Sequence, residues 1–335
     1  MDESVHASAI ARHLGTDHHE IVVEPDVAKL MEPLIWHLDE PFTDTSFLVT
    51  YLVSKLARET VTVILSGMGG DEIFAGYRRY LGSTFQRYVD LIPGPLRRGV
   101  LQPILNRLPV DRGSSIKAFF RYARRFINQA DLPEPQRYQG YVSVFNSSQR
   151  NALFTADFAR LESAHASTQV AEFYDRANTT SSLNRMLYAD LKTSLVDSLL
   201  TFTDKMTMAV SLEARVPLLD YRLVEFAATI PPEMKLKGSR GMKHVFKEAM
   251  REQLPESIIY QKKQGFGTPM SRWLRGSLRP MLEDLLSADR IARRGYFCEA
   301  TVRRLIADHM QQREDNSEHL MALLTFELWH QKFLD

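Results

Sequence analysis

The stretch Val61-Thr62-Val63-Ile64-Leu65-Ser66-Gly67-Met68-Gly69-Gly70-Asp71-Glu72 decides how the rest of the chain reads. Its first half is β-branched and apolar, the composition of a buried parallel strand. Beyond it, Ile73, Phe74, Tyr77 and Tyr80 recur at helical spacing. The sequence therefore predicts a strand, a glycine-rich turn and a helix. In an open α/β sheet such a turn lies at the carboxyl end of a strand, where ligands bind. Glycines let backbone amides approach an anion, and a helix start adds a positive dipole end. Asp71 could then hold a divalent cation against phosphate oxygens. The plainer alternative is a tight turn whose glycines serve only the backbone and whose Asp71 caps the helix.

Two further stretches narrow the choice. One is Asp204-Lys205-Met206-Thr207-Met208, leading to Glu213-Ala214-Arg215-Val216-Pro217-Leu218-Leu219-Asp220. The other is Lys262-Lys263-Gln264-Gly265-Phe266-Gly267-Thr268-Pro269. Together with Leu65–Glu72 and Phe74-Ala75-Gly76-Tyr77, they resemble the synthetase domain of the glutamine-hydrolysing asparagine synthetases, a family of pyrophosphate-loop ATP enzymes. The similarity runs from about residue 2 to the C-terminus and is weakest between about 91 and 181. It implies an α/β fold: an incomplete doubly wound parallel sheet of the adenine-nucleotide alpha-hydrolase type, with a large helical portion. On that reading the nucleotide core is about 1–90 and 182–270, with a helical insertion at about 91–181 and a helical tail at 271–335.

Composition agrees with a globular enzyme. The 335 residues are 44% hydrophobic and 25% charged, with a formal net charge of +1. Such a balance gives no global pull toward nucleic acid or membrane. The one cysteine, Cys298, excludes an internal disulfide. Residues 1–15 carry no apolar signal core, and no run approaches the length of a membrane span, so the expected location is the cytoplasm.

Taken in order, residues 2–14 read as a helix stopped by Gly15, and Ile21-Val22-Val23 as a short strand. The pair His18-His19 makes a poor chelate, because neighbours on an extended chain point to opposite faces. Residues 26–38 read as a helix ended by Asp39-Glu40-Pro41. Thr43, Asp44, Thr45 and Ser46 open another, with Leu48, Tyr51, Leu52, Leu56 and Ala57 as its inner stripe. Those polar residues cap a helix or, by resemblance, lie near an amino-acid substrate. Residues 97–125 are rich in arginine, with Phe119, Phe120, Tyr122 and Phe126 interleaved. Buried aromatics with solvated arginines are the expectation there; an RNA- or anion-binding face is the alternative. Residues 131–180 read as helical without legible chemistry. Leu183, Met186, Leu187, Leu191, Leu195 and Leu199 predict one amphipathic helix delivering the chain to Asp204-Lys205, and Asp220 predicts a cap for helix 221–229.

The string Ser-Gly-Gly-x-Asp-Ser, expected of a pyrophosphate-loop enzyme, does not occur, nor does a Walker-type loop. The chain thus resembles a synthetase domain lacking its first strand, its pyrophosphate loop and its glutaminase domain. By resemblance the activity is ATP-dependent adenylation of the aspartate side-chain carboxylate, followed by displacement of AMP by ammonia drawn from glutamine. The resemblance assigns Ser66, Gly67, Gly69 and Gly70 to the nucleotide, Asp71 to Mg²⁺ and catalysis, and Lys205 to the adenylation transition state. Glu213 and Arg215 read as a structural ion pair; Lys262 and Lys263 could face phosphates. The implied partners are a glutaminase domain or subunit and a possible second copy of the chain. Met68 stands where the asparagine-forming members carry an acid, so the acid that is amidated stays open. A non-catalytic remnant, or a related ligase acting on another carboxylate, are the other readings.

Overall fold

A computed structural model describes residues 4–20, 22, 25–107, 120, 123–124, 126–161, 168–238, 241–261 and 268–335. Most of them are helical. The described strands are β1 (Val63–Leu65) and β2 (Glu213–Arg215), which pair in parallel with Val63 opposite Glu213 and Leu65 opposite Arg215. The ladder is extended at both ends: the Glu213 amide donates to the Thr62 carbonyl and the Ser66 amide to the Arg215 carbonyl. Among the described residues the expected doubly wound sheet is a two-stranded parallel ribbon beside many helices. The expected burial of β1 does not hold either. Val63 and Leu65, two apart and so on one face, are exposed, Leu65 to 73%, and only Ile64 is half-buried. A ribbon of two short strands has little surface with which to cover its own apolar faces. The expected strand at 21–23 is not confirmed: Ile21 and Val23 lie outside the described residues, and Val22 is coil and 86% exposed.

The helices follow their sequence signals more closely. Ser4–Leu14 stops at Gly15. Val27–Leu38 starts at Asp26, whose carboxylate accepts the Lys29 amide, and ends at Asp39 in the left-handed region. Its apolar face of Val27, Met31, Leu34, Ile35 and Leu38 is fully buried. It meets helix Ser46–Ala57, helix Thr201–Met208 and the C-terminal helix Ser317–Phe333, and these elements share one core. In Ser46–Ala57 the buried residues are Phe47, Leu48 and Ser54, a slightly rotated version of the expected stripe. The indole of Trp329 closes this region by donating to the Asp39 carbonyl at 3.0 Å.

The single amphipathic helix expected from Leu183 to Leu199 is interrupted. Ser182–Lys192 ends at Thr193, whose backbone leaves the helical region and whose hydroxyl donates to the Ala189 carbonyl at 2.7 Å. A wide π-type turn, Ser194–Leu200, follows and leads into Thr201–Met208. The leucine pattern survives this break because both halves still bury apolar residues, Leu183, Met186 and Leu187 before it and Leu195 after. A second core is rich in tyrosine: Tyr80, Tyr138, Tyr141 and Tyr174 with Leu183 and Met186. Phe126, from the end of the arginine-rich segment, stacks on Tyr141 with centroids 5.5 Å apart. Arg97 and Arg124 of that segment pair with Asp131 and Glu314 rather than standing free. Phe119 and Tyr122 lie outside the described residues.

Candidate active site

The helix after the glycine turn is shorter than its apolar spacing predicts. It runs only Gly70–Phe74, because Ala75 enters the left-handed region at φ +60°. Tyr77 and Tyr80 belong instead to the start and end of a separate short turn, Arg78–Tyr80. Gly69 occupies the cap position at φ +86°, so Asp71 is not the cap. A Cβ on Gly69 would stand 2.2 Å from Leu219 Cδ2, and one on Gly70 3.0 Å from Leu218 Cδ1. These two glycines are therefore spent on letting the segment Pro217–Leu219 pack against the turn. Gly67 differs: a Cβ there would meet nothing within 4 Å. The open part of the turn is Ser66-Gly67-Met68, and the Gly69-Gly70 part is closed by leucines.

Asp71 turns back toward the end of its own short helix. Its Oδ1 lies 3.1 Å from Lys243 Nζ, with both side chains about one quarter exposed. Gly76 makes this possible. A Cβ at that position would stand 1.8 Å from Asp71 Oδ1 and 2.3 Å from Lys243 Cε, so the missing side chain is the space in which the ion pair sits. Lys243 is held over Asp71 by its own left-handed backbone and by helix His244–Ala249, whose Phe246 stacks nearly parallel on Phe74 at 4.9 Å. Sequence reasoning missed Lys243; its only local signal is a lysine shortly before a helix that packs on the glycine turn.

Next to Asp71, Glu72 is fully buried and accepts a hydrogen bond from the Tyr77 hydroxyl at 2.6 Å. Burial pushes its carboxyl above the usual range, and the Tyr77 bond opposes the shift. The Tyr77 ring carries the Arg79 guanidinium at 4.1 Å, and Arg79 reaches the buried Asp190 through Nε and a terminal nitrogen at 2.9 and 2.7 Å. Tyr80 donates to the same Asp190 oxygen at 2.6 Å. None of this buried chain was anticipated from the sequence.

The second motif meets the first at several points. Thr203 donates to Met68 Sδ at 3.2 Å, so the thioether faces the start of helix Thr201–Met208 rather than open solvent. Lys205, two residues on, donates its ammonium to the Leu38 carbonyl at the end of helix Val27–Leu38. Glu213 and Arg215 form the expected ion pair at 2.7 Å on an exposed face of β2. Asp220 caps Tyr221–Thr229 through the Arg222 amide; its hydrogen bonds with Arg222 hold its carboxyl down at about 2. Of the third motif, Lys262–Gly267 lie outside the described residues. Thr268 is described, and its hydroxyl is 2.6 Å from that of Thr45. The polar turn at 43–46 and the end of the third motif are thus in contact.

A hard divalent cation brought in with a phosphate needs only one or two protein carboxylates, the rest of its shell being phosphate and water oxygens. Asp71, partly exposed and held at its Oδ1 by Lys243, fits that demand. Among the described residues no three His, Cys, Asp or Glu side chains gather as a self-sufficient metal site.

The glycine turn is thus joined through a parallel ribbon to the segment that ends at Asp220. Over residues 1–331 the chain matches the Asparagine synthase family model, and it belongs to that family. It is 29% identical over 325 residues to asparagine synthetase (glutamine-hydrolyzing) 1 of Bacillus subtilis, covering 97% of this chain and 49% of that protein. It is 25% identical over 256 residues to asparagine synthetase (glutamine-hydrolyzing) 3 of the same organism, covering 75% and 34%. It is 23% identical over 317 residues to Amidase chyE of Penicillium rubens, covering 88% and 45%. The chain spans about half the length of the curated relatives it matches. Among the described residues no helix is long and apolar enough to cross a membrane.

Proposed function

We propose that the chain is the ATP-dependent amide-ligase portion of an asparagine synthetase, activating the side-chain carboxylate of aspartate for attack by ammonia derived from glutamine. The observation that carries this reading is the family match over residues 1–331, with the glycine turn and the Asp71–Lys243 pair at Gly76 as its local support. ATP supplies the leaving group: adenylation makes the carboxylate an acyl donor, releasing pyrophosphate, and amide formation releases AMP. The chain's task is to gather like charges, since a carboxylate must approach a polyanion. Ser66 and Gly67 would offer amides to the phosphates, and the backbone at Gly69 and Gly70 would hold that turn in shape. Asp71 would hold Mg²⁺ on the pyrophosphate. Lys205 would supply positive charge to the transition state, released from the Leu38 carbonyl when substrate enters. The division into a nucleotide core, a helical insertion at about 91–181 and a helical tail belongs to this reading, as does a glutaminase domain in the whole protein.

A second reading has a specific support. The wall of the turn beside Thr203 is a thioether, a weak acceptor unable to move protons or order an ammonium group. Met68 favours an acid less polar than aspartate, and the resemblance to Amidase chyE is compatible with a wider range of carboxylates. The decisive measurement is acid-dependent exchange of labelled pyrophosphate into ATP, on the full-length polypeptide carrying this domain, with its Asp71→Asn and Lys205→Ala variants. Aspartate-dependent exchange lost in both variants supports the first reading. Exchange with another acid, and none with aspartate until Met68→Glu is made, supports the second. No exchange with any acid removes both.

A further inference from the structure

Lys243 reaches Asp71 by a route that looks built for holding a cation there. Shortly before it, Lys237 and Gly241 pair through both amides at 3.1 Å. After it, helix His244–Ala249 is locked to helix Gly70–Phe74 by the Phe74–Phe246 stack and by Ile73, Leu218, Leu219 and Val245 in one apolar cluster. Between these two anchors the lysine stem crosses the space left by Gly76 and ends on Asp71 Oδ1. A second ammonium, Lys247, lies one helical turn further on. Burial pushes its amine down, and the charge of Lys243 adds to that effect. Lys243 is thus the cation that Asp71 holds before any ligand arrives.

A carboxylate that already holds an ammonium is a poor ligand for a free divalent ion, because the two cations compete for the same oxygen. The same ammonium is a good partner for a polyphosphate. We propose that Lys243 is an exchangeable counter-cation: it occupies Asp71 in the ligand-free protein, keeps free divalent metal off that carboxylate, and transfers to phosphate oxygens when a polyphosphate enters, which releases Asp71 to bind metal. Metal and polyphosphate would then bind cooperatively, with Lys243 carrying the coupling. This rests on the assignment of Asp71 to a phosphate-borne cation made above, and it adds the order in which the two charges arrive. Coupling between two ligands is reciprocal, so each should tighten the other by the same factor.

The test uses binding rather than turnover, on the chain of residues 1–335. Mn²⁺ binding is followed by its electron paramagnetic resonance signal, and pyrophosphate binding by calorimetry in chelator without metal. The variants are Lys243→Gln, Lys243→Arg, Asp71→Asn and the double Asp71→Asn/Lys243→Gln, each checked by thermal melting. Lys243→Gln should bind free Mn²⁺ about tenfold more tightly than the wild type, the scale of one partly exposed ion pair with its charge competition removed. Lys243→Arg, which keeps the charge, should stay near the wild type. The double variant should lose the gain, showing that Asp71 is the ligand. In the other direction, Asp71→Asn should bind metal-free pyrophosphate several-fold more tightly, and the double variant should not. If Lys243→Gln binds Mn²⁺ no better than the wild type, Lys243 does not compete and the exchange is overturned. If it binds better but the double variant keeps the gain, the metal lies elsewhere and the proposal again falls. Should Lys243→Gln fail to melt cooperatively, the pyrophosphate arm on Asp71→Asn alone decides: no gain there overturns the proposal. Loss of acid-dependent pyrophosphate exchange in the full-length protein is a separate result. It would refute the ligase reading while leaving the Mn²⁺ competition intact.

Discussion

Among the described residues, two carboxylate–cation pairs, Asp190–Arg79 and Asp71–Lys243, lie on the segment around the glycine turn, and they are built to opposite ends. Asp190 is completely buried and receives two guanidinium bonds and a tyrosine hydroxyl. Asp71 meets a flexible ammonium through one oxygen, and a quarter of each side chain is open to solvent. A planar fork locked onto a desolvated carboxylate cannot let go without stranding a buried charge. A point charge on a four-carbon stem at a wet edge can leave at little cost. The first pair holds the helical region to the segment after the turn, while the second is able to exchange partners.

The sharpest way to break this contrast is to delete each carboxylate. Asp190→Ala should cost about 3 kcal/mol, since it takes from Arg79, itself one quarter exposed, its charge partner and removes the acceptor that the buried Tyr80 hydroxyl uses. Urea unfolding would show it as a fall in midpoint at unchanged slope. A loss below about 1 kcal/mol would mean that water replaces the buried carboxylate and that the two pairs are alike.

A buried cation held by an amide rather than an acid sharpens the same point. Lys235 is 2% exposed, and its ammonium donates to Asn184 Oδ1 at 3.4 Å. Burial pushes its amine from the ordinary 10.5 down to about 8. Between those two values the unfolded chain binds the proton and the folded one does not, so stability should rise as pH climbs from 8 toward 10.5. The gain should approach about 3 kcal/mol. In Lys235→Met that slope should vanish. Equal pH profiles for the two proteins would show that the amine is solvated.

The glycines offer a steric version of the comparison. Gly69→Ala should cost about 1–3 kcal/mol through its positive φ and the contact with Leu219, whereas Gly67→Ala should leave the melting temperature within a degree or two. Similar losses at both would mean that the turn has no open end. The smallest expected effect is that of Asp71→Ala on stability, under about 1 kcal/mol. A larger loss would make the Lys243 pair structural after all.

These contrasts explain which parts of the molecule could be read from sequence. Helix ends are local: the residues at 26, Gly15 and Asp220 mark them within a few residues, and the structure agrees. The glycine turn after a strand was also legible; that Gly69 and Gly70 are closed by Leu218 and Leu219 of the segment paired to it was not. The extent of the sheet was not. Val61–Leu65 reads as a strand buried on both faces, but burial depends on neighbours, and the described chain gives β1 only one. The length of the helix after the turn was misread because Ala75 has no sequence signal for its left-handed backbone. Lys243 and Asp190 escaped notice for a different reason. Their partners lie more than a hundred residues away, and nothing within either segment announces a long-range ion pair.

Helix Val27–Leu38 carries one more consequence, which concerns the birth of the chain. Its apolar face of Met31, Leu34, Ile35 and Leu38 packs against helix Ser317–Phe333, made about 300 residues later. At about 5–20 residues per second, the ribosome finishes that partner roughly 15–60 s after the first helix has emerged. Throughout that interval its face has helix Ser46–Ala57, and later helix Thr201–Met208, to pack against. The part reserved for the C-terminal helix stays open for that time, so translation speed across the intervening helices becomes part of what determines the yield.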